Sequence, residues 1–258
     1  MIIKLKLVLW SWLWAYRINK IRSLSTKHIK KKKELAPYFR SSLILKYAKS
    51  LLKLFNVKVV IKGYENIQKT PAMIVANHAS NADSLFVYLA LEKQNKDEQD
   101  KENVLTFLAK KELQDKKVTK WILQLIDTFF IDRQKIKESF ATLVDFGKFV
   151  REKKTYGVVF PEGTRTEDGN IQNFKIGAFK IAKKNYLPII PITINNSGAA
   201  FDTNRKEKLT VEVIIHKPIK ATFVSSQPAE ALALKSKNII EQSYIINPSE
   251  KQIKKARK

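Results

Sequence analysis

Residues 72–84 read AMIVANHASNADS, a short apolar run that gives way to a polar turn. The apolar residues predict a buried strand over Ala72–Ala76, and the polar residues after it predict that the strand ends there. His78 and Asp83 stand five positions apart just beyond that end. On a continuous helix, at about 100° per residue, their side chains would point about 140° apart.

The chain must therefore bend if these two side chains are to meet. If Asn81 caps a helix that begins near residue 82, Asp83 lies in its first turn and His78 in the preceding turn. A histidine oriented by a carboxylate is the simplest device for general-base catalysis, because the carboxylate fixes the tautomer and stabilises the imidazolium. A polar turn with a helix cap and a first-turn acid is the alternative interpretation.

Composition restricts the class of protein. The 258 residues suffice for one α/β domain with a sizeable core. The absence of cysteine excludes disulfides, thiolate metal sites and a cysteine nucleophile. The net charge of +25 predicts a negatively charged partner, which could be anionic lipid, nucleic acid or an acidic protein. A lysine-rich composition with a solvated basic surface is the alternative.

The N-terminal segment combines aromatic residues with basic ones. Residues 7–16 read LVLWSWLWAY and would form a helix roughly 15 Å long, about half the hydrocarbon thickness of a bilayer. The tryptophans and the basic residues that follow predict a helix lying in or dipping into one leaflet. Docking onto the protein core is the alternative. A second basic amphipathic stretch, residues 37–55, fits either a membrane surface or ordinary packing.

The rest of the chain alternates strand and helix patterns. Strands are predicted at 57–62, 72–76, 104–108, 128–131, 157–160, 187–195 and 210–216. Helices are predicted at 82–92, 117–125, 137–153, 174–184 and 228–246. This alternation predicts an α/β fold, with a mostly parallel or mixed sheet of about seven strands flanked by helices and preceded by the membrane-associated helical segment.

Three regions are predicted along the chain. Residues 1–56 form a membrane-associating helical segment with a basic linker, residues 57–220 the α/β core, and residues 221–258 a C-terminal helical region and basic tail. Polar residues follow four of the core's predicted strands, namely His78, Lys110, Arg133 and Glu162 to Arg165. Because ligands of such folds bind at the carboxyl ends of the strands, we expect these side chains to meet at one edge of the sheet.

Four blocks, in this order, resemble the glycerolipid acyltransferases that acylate 1-acylglycerol-3-phosphate. They are Asn77 to Asp83, with the family's HxxxxD pattern; Phe130 to Arg133, preceded by Ala109 to Leu113; Phe160 to Arg165; and Leu187 to Ile192. The resemblance covers roughly residues 37–220. It implies that the acceptor hydroxyl attacks the thioester directly, and neither a cysteine nor a G-x-S-x-G elbow is present to form an acyl-enzyme.

The reaction assigns roles to the residues of these blocks. His78 would take the proton of the attacking hydroxyl, with Asp83 behind it. Arg165 can hold the acceptor's phosphate bidentately and Lys110 as a point charge. The remaining candidate acceptor-binding residues are Glu162, Gly163, Thr164 and Arg133.

Several of these assignments have alternatives. Glu162 could accept from Arg165 or orient the acceptor, or the two could close a strand-exit turn through an internal salt bridge. Arg133 could stabilise its turn through Asp132. The family's Pro and Gly soon after Lys110 are replaced by Asp115-Lys116-Lys117, which leaves the choice between Lys110 and Lys111 open.

Two further histidines lie outside the four blocks. No partner for His28 or His216 can be recognised in the sequence, and both are predicted to be structural or solvated. No spacing typical of metal ligands is present, and neither a bound metal nor a cofactor is expected.

The aromatic and basic N-terminal segment predicts a peripheral or monotopic membrane enzyme. Its positive flanks and a soluble, phosphorylated donor predict the cytoplasmic face of the cell membrane. The resemblance implies that the enzyme would move a fatty acyl group from acyl-CoA or acyl carrier protein to the sn-2 hydroxyl of 1-acylglycerol-3-phosphate, giving phosphatidic acid. The expected partners are this lysophospholipid, the acyl donor and an anionic membrane surface, without nucleic acid. The alternatives are glycerol-3-phosphate or another lysophospholipid as acceptor, and a non-enzymatic basic protein that binds membranes or nucleic acid, although no nucleic-acid motif is present.

Overall fold

The computed structural model describes residues 2–30, 35–69, 71–94, 102–132, 134–166 and 169–246. The helices are α1 Ile3–Leu9, α2 Ser11–Ile29, α3 Pro37–Leu54, α4 Asp83–Ala90, α5 Lys117–Leu125, α6 Ile136–Glu152, α7 Gly177–Lys184, α8 Ala221–Ser226 and α9 Ala229–Glu241. The strands are β1 Val57–Lys62, β2 Ala72–Ala76, β3 Leu105–Lys110, β4 Phe129–Ile131, β5 Tyr156–Val159, β6 Ile189–Asn195 and β7 Leu209–Ile215. The lysine run at 31–33 and the basic tail at 251–258 lie outside the described residues.

The seven strands of the described residues form one mixed sheet in the order β1-β7-β6-β2-β5-β3-β4. Strands β2 to β6 run parallel to one another, whereas β7 is antiparallel to β6 and carries β1 parallel to itself. Five strands therefore end at the same edge, called here the carboxyl edge. The predicted α/β fold, with a mostly parallel or mixed sheet of about seven strands flanked by helices, is confirmed. The membrane association of the N-terminal segment stays a prediction.

Strand β2 lies at the centre of the sheet and is buried on both faces. Ala72, Ile74 and Ala76 contribute to one hydrophobic cluster, and Met73 and Val75 contribute to the other, because successive side chains of a strand point to opposite faces. Helices α3, α4 and α5 cover the first cluster, and α6 to α9 cover the second. An apolar side chain at every position is what a central parallel strand requires.

The turn after β2 corrects one sequence-based prediction. Asn81 was expected to cap α4, but the N-cap residue is Ala82, which makes no side-chain cap hydrogen bond. The carboxylate of Asp83 instead reaches back to the main-chain N–H groups of Ala79 and Ser80. The prediction was wrong because the first-turn acid, rather than the preceding Asn, closes this turn.

Helix α2 packs against α5 in a parallel orientation. The contacting residues stand 99 positions apart, and they are Arg22 over the ring of Trp121 at 5.4 Å, Ser25 with Gln124 at 3.4 Å, and His28 Nε2 with Asp127 Oδ1 at 2.8 Å. The other histidine without a partner evident in the sequence, His216, contacts the Thr193 hydroxyl at 2.7 Å. Both histidines thus have partners that only the fold brings to them.

The N-terminal helices also pack on α3. Ile3 is fully buried against Leu54 and Phe55. The guanidinium of Arg17 lies over the ring of Trp14 at 4.8 Å and donates to the hydroxyl of Ser50 at 2.6 Å. One side of these helices is therefore docked on the core, as the alternative interpretation of this segment proposed.

The other side of α1 and α2 carries exposed apolar residues. Their exposed fractions run from 46% to 70%, and they are Ile2, Leu5, Val8, Leu9, Trp10, Trp12 and Tyr16. Within the part of the chain that the structure describes, no helix combines the length and the apolar character needed to cross a bilayer. The predicted division of the chain after residues 56 and 220 stays a prediction.

Candidate active site

The carboxyl edge brings together the side chains predicted from three strand ends. His78 follows β2, Glu162 follows β5, and Lys110 is the last residue of β3. These strands are neighbours in the order β2-β5-β3, so the three residues lie at the ends of adjacent strands along the carboxyl edge. Arg133, which follows β4, lies outside the described residues, so its predicted role stays a prediction.

The histidine and the acid of the HxxxxD pattern are in direct contact. His78 Nδ1 lies 2.8 Å from Asp83 Oδ2, and the Asp83 side chain is fully buried. The same oxygen accepts the N–H groups of Ala79 and Ser80, each at 2.7 Å. These two main-chain bonds bend the chain through the turn and fix the carboxylate under the imidazole.

This contact sets the chemistry of the imidazole. A carboxylate beside Nδ1 holds the proton of a neutral imidazole on that nitrogen, which leaves Nε2 as the basic atom. The His78 side chain remains 23% exposed, so the ring is accessible from the carboxyl edge. An oriented, partly accessible imidazole of this kind can accept a proton from a bound hydroxyl.

The segment after β5 also contacts His78, through both its main chain and its ring. Glu162 Oε1 accepts the main-chain N–H of His78 at 2.7 Å, and the carbonyl of His78 accepts the N–H of Thr166 at 2.9 Å. The ring of Phe160 stacks on the imidazole with centroids 4.4 Å apart and an interplanar angle of 22°. Sequence reasoning assigned no role to Phe160 or Thr166.

The second oxygen of Glu162 is also occupied. Oε2 accepts the N–H of Gln172 at 2.8 Å, and it lies 3.4 Å from the hydroxyl of Thr166, which also donates to the carbonyl of Asn170. Glu162 is only 3% exposed, and burial raises the pKa of its carboxyl group while these hydrogen bonds oppose the increase. Among the described residues, the internal salt bridge to Arg165 that the sequence offered as an alternative is not formed.

Gly163 lies in the turn between Phe160 and the exposed residues Thr164 and Arg165. Its φ of 75° lies in the left-handed region, which glycine adopts without the steric cost of a Cβ atom, and its N–H donates to the carbonyl of Phe160 at 3.0 Å. Thr164 and Arg165 follow it and are exposed. The turn therefore separates a buried acid from an exposed guanidinium within three positions.

The two candidate phosphate-binding lysines differ in their surroundings. Lys111 is exposed and donates to Asp132 Oδ2 at 3.2 Å, and this hydrogen bond lowers the pKa of the Asp132 carboxyl group. Lys110 is half-buried, and within the described ranges neither it nor Arg165 forms an ion pair. Two cations at the carboxyl edge are thus left without a carboxylate partner among the described residues.

Asn77 is a further residue of the site whose role sequence reasoning missed. Its buried side-chain amide makes two hydrogen bonds with the main chain of Ile194 in β6, at 2.7 and 2.9 Å. The signal in the sequence is an Asn directly after an apolar strand, but its partner lies 117 positions away.

Comparison with known proteins places these features in a family. A family model described as Acyltransferase matches residues 58–195. A protein from Mycoplasma pneumoniae named "Probable 1-acyl-sn-glycerol-3-phosphate acyltransferase" is 35% identical over 219 residues, which are 81% of this chain and 79% of that protein. The 1-acyl-sn-glycerol-3-phosphate acyltransferase of Saccharomyces cerevisiae is 33% identical over 169 residues, 65% of this chain and 52% of that protein.

A solved structure shares the fold. The crystal structure of the 1-acyl-sn-glycerophosphate (LPA) acyltransferase PlsC from Thermotoga maritima superposes with a TM-score of 0.64 at 21% sequence identity, covering 88% of this chain and 93% of that one. The matched region contains the blocks around His78 and Glu162 from which the resemblance was first inferred. The chain therefore belongs to the acyltransferase family.

Proposed function

We propose that this protein transfers a fatty acyl group from an acyl thioester to the sn-2 hydroxyl of 1-acylglycerol-3-phosphate, giving phosphatidic acid. The observation that carries the proposal is the contact of His78 Nδ1 with the buried Asp83, which leaves Nε2 as the base. The same edge holds Lys110 and Arg165, which form no ion pair with any carboxylate of the described residues. The names of the relatives from Mycoplasma pneumoniae and Saccharomyces cerevisiae support the same reaction.

The chemistry requires one proton transfer in each direction. Nε2 of His78 takes the proton of the acceptor hydroxyl as its oxygen attacks the thioester carbonyl, and a tetrahedral intermediate forms. Asp83 stabilises the imidazolium by its charge and its hydrogen bond at Nδ1. The intermediate then expels the thiolate, which receives the proton from His78, so that an ester and a free thiol leave the site.

The acceptor's phosphate would be held by the cations of the carboxyl edge. Arg165 supplies a planar fork that matches two phosphate oxygens, and Lys110 supplies a point charge. Neither is neutralised by a carboxylate of the described residues. The donor would be acyl-CoA or acyl carrier protein, and the reaction needs no metal or bound cofactor.

The N-terminal helices would attach the enzyme to the membrane in a peripheral or monotopic manner. Helix α5 begins shortly after the carboxyl end of β3, and α2 runs parallel to it, so the first residues of α2 lie on the side of the carboxyl edge. The exposed apolar residues of α1 and α2 therefore share that side with His78. A lipid acceptor could then pass from the leaflet to the base, and soluble phosphorylated donors would place this surface on the cytoplasmic face.

An assay with separate donors tests the reaction and the base together. The purified protein is incubated with 1-acylglycerol-3-phosphate and either acyl-CoA or acylated carrier protein, and phosphatidic acid is measured. His78→Ala is expected to abolish the product, whereas His28→Ala, at the opposite edge of the sheet, is the matched control and is expected to retain activity. The donor that gives product identifies the co-substrate.

Other outcomes would contradict the proposal. Equal rates for the wild type and His78→Ala would exclude this histidine as the base. No product with either donor would overturn the acceptor assignment, and glycerol-3-phosphate and other lysophospholipids would be tested next under the same conditions.

A further inference from the structure

We propose that Glu162 is a positioning residue, which fixes the main chain of His78 and so the direction of its imidazole, rather than a group that contacts the acceptor. The proposal rests on the proposed function, since it assumes that His78 is the base. It departs from the sequence-based assignment of Glu162 to the acceptor site.

The first argument concerns the main-chain groups of His78. This residue lies just beyond the end of β2, where the ladder of the sheet no longer supplies partners for its N–H and carbonyl. Both groups are nevertheless bonded, the N–H to Glu162 Oε1 at 2.7 Å and the carbonyl to the N–H of Thr166 at 2.9 Å. The segment after β5 thus forms hydrogen bonds with the peptide groups on both sides of the histidine.

The second argument concerns the carboxylate itself. Its two oxygens accept main-chain hydrogen bonds from the N–H of His78 and the N–H of Gln172. The hydroxyl of Thr166, which donates to the carbonyl of Asn170, also lies 3.4 Å from Oε2. Glu162 is 3% exposed, so little of it can be reached by a ligand. A negative charge would also repel the phosphate of the acceptor at close range.

The third argument explains why a carboxylate occupies this position. Oε1 and Oε2 each face a main-chain N–H, of His78 and Gln172 respectively, and only a carboxylate presents acceptors in both directions. A glutamine would accept on one side only and would turn its own N–H₂ group towards a donor on the other. The site therefore keeps an ionisable group in a buried place that raises its pKa.

The imidazole is then fixed at separate points. Asp83 holds Nδ1, the ring of Phe160 limits rotation out of its plane, and Glu162 fixes the main chain from which the ring extends. A displacement of the base by about 1 Å can cost on the order of 10²-fold in rate, because the reacting atoms must meet at a set distance and angle. Loss of the hydrogen bond between Glu162 and the main chain of His78 would therefore lower kcat.

The kinetic experiment compares Glu162→Gln with Glu162→Asp and the wild type. Glu162→Gln is expected to lower kcat by about 10²-fold while leaving KM for the acceptor within about twofold. Glu162→Asp keeps both oxygens but withdraws them by one methylene, so its kcat is expected to lie between the other two. Glu230→Gln on the exposed face of α9 is the matched control and is expected to match the wild type.

A second measurement tests the contact of Glu162 with His78 without requiring enzymatic activity. Hydrogen–deuterium exchange of the peptide that contains His78, followed by mass spectrometry, is expected to be faster in Glu162→Gln than in the wild type, whereas a peptide from α9 exchanges equally in both. This readout separates the two proposals, because it responds to the Glu162 contact even if phosphatidic acid is not the product.

Two results would overturn the inference. A raised KM for the acceptor with unchanged kcat would identify Glu162 as an acceptor contact. Unchanged exchange at His78 in both variants would show that Glu162 does not hold this segment. If Glu162→Gln fails to fold, Glu162→Asp carries the same kinetic and exchange comparisons.

Discussion

The side-chain amide of Asn77 takes the place of a peptide group opposite Ile194. Its Oδ1 accepts the N–H of Ile194 at 2.7 Å, and its Nδ2 donates to the carbonyl of Ile194 at 2.9 Å. The main-chain pairing of β2 with β6 extends to Ala76, so the Asn77 side chain adds one further pair of hydrogen bonds. The main chain is thereby free to turn away from the sheet, and His78 is the second residue after the end of β2, within that turn.

Removing the amide of Asn77 is expected to destabilise the protein. Asn77→Leu leaves two buried main-chain groups of Ile194 without partners, at about 1–3 kcal/mol each, so the free energy of unfolding should fall by about 3 kcal/mol. Denaturant unfolding measures this change. Asn238→Leu on the exposed side of α9 is the control and should change the value by less than about 0.5 kcal/mol. Equal effects of the two substitutions would refute the structural role of the amide.

Neutralising Asp83 is expected to impair catalysis more than folding. In Asp83→Asn the side-chain oxygen can still accept from the turn, but the negative charge opposite the imidazolium is lost, and kcat should fall by on the order of 10²-fold to 10⁴-fold. Steady-state kinetics and circular dichroism together check the result. A folded variant with the activity of the wild type would show that the His78–Asp83 contact has no catalytic role.

The two lysines after β3 should differ in their effect on the acceptor. Lys110→Gln removes a cation that is unpaired among the described residues and is expected to raise KM for the acceptor by about tenfold, the loss of one charge-assisted hydrogen bond to phosphate. Lys111→Gln removes a cation already paired with Asp132 and should change KM by less than about threefold. The opposite order of effects would assign the phosphate to Lys111.

The exposed tryptophan of α2 should contribute to membrane binding. Trp12 is 68% exposed, and burying a large apolar side chain contributes about 1.5–3 kcal/mol, so Trp12→Ala should weaken binding to vesicles by at least about tenfold. Sedimentation with vesicles containing phosphatidylglycerol measures the partition. Leu234→Ala on α9, where the leucine is 60% exposed, is the control and should bind as the wild type does. Equal binding of all three proteins would exclude Trp12 from the membrane contact.

His216 should make stability depend on pH. The Thr193 hydroxyl donates to the carbonyl of Ile240 and so accepts from Nε2–H of His216, and burial lowers the pKa of this imidazole. Below pH of about 6.5 the unfolded chain binds a proton that the folded chain binds only at lower pH. The free energy of unfolding should therefore decrease as the pH falls from 7 to 5.

A variant isolates this contribution from that of other groups. His216→Gln keeps a side-chain donor but does not titrate, so its free energy of unfolding should decrease less over the same interval. Denaturant unfolding at pH 5, 6 and 7 compares the two proteins. Parallel pH dependences would show that His216 does not contribute.

Sequence reasoning was most successful where a local pattern determines the structure. The bounds of β2 and of the helix at 117–125 were predicted to the residue, because an uninterrupted apolar run and a clear helical periodicity each fit one element. The contact of His78 with Asp83 was one of two interpretations of this segment and required a bend between the two residues, which the structure contains. The roles of the site residues in catalysis stay predictions, which the assays above test.

Contacts between distant segments could not be predicted in this way. Glu162 lies 84 positions after His78, and Ile194 lies 117 positions after Asn77, so nothing local connects them. The cap predicted at Asn81 was wrong for a related reason, since a general preference of Asn for helix N-termini was overridden by a side chain already bonded to the turn. Which side chain bonds to a turn depends on the distances between groups in the folded chain and not on the preference of a residue type.

The position of β2 in the sheet also has a consequence for synthesis of the protein on the ribosome. This strand is the second to be translated, yet its neighbours are β5 and β6, whose pairing residues begin at Tyr156 and Ile189. About half of the chain that follows Ala72–Ala76 must be synthesised before this strand can pair with β5, and more before it can pair with β6. Such long-range pairing slows folding and leaves aggregation-prone strands exposed. A nascent chain that stops before β5 carries His78 without Glu162, which binds the main-chain N–H of His78 in the folded protein, and we expect it to require a chaperone.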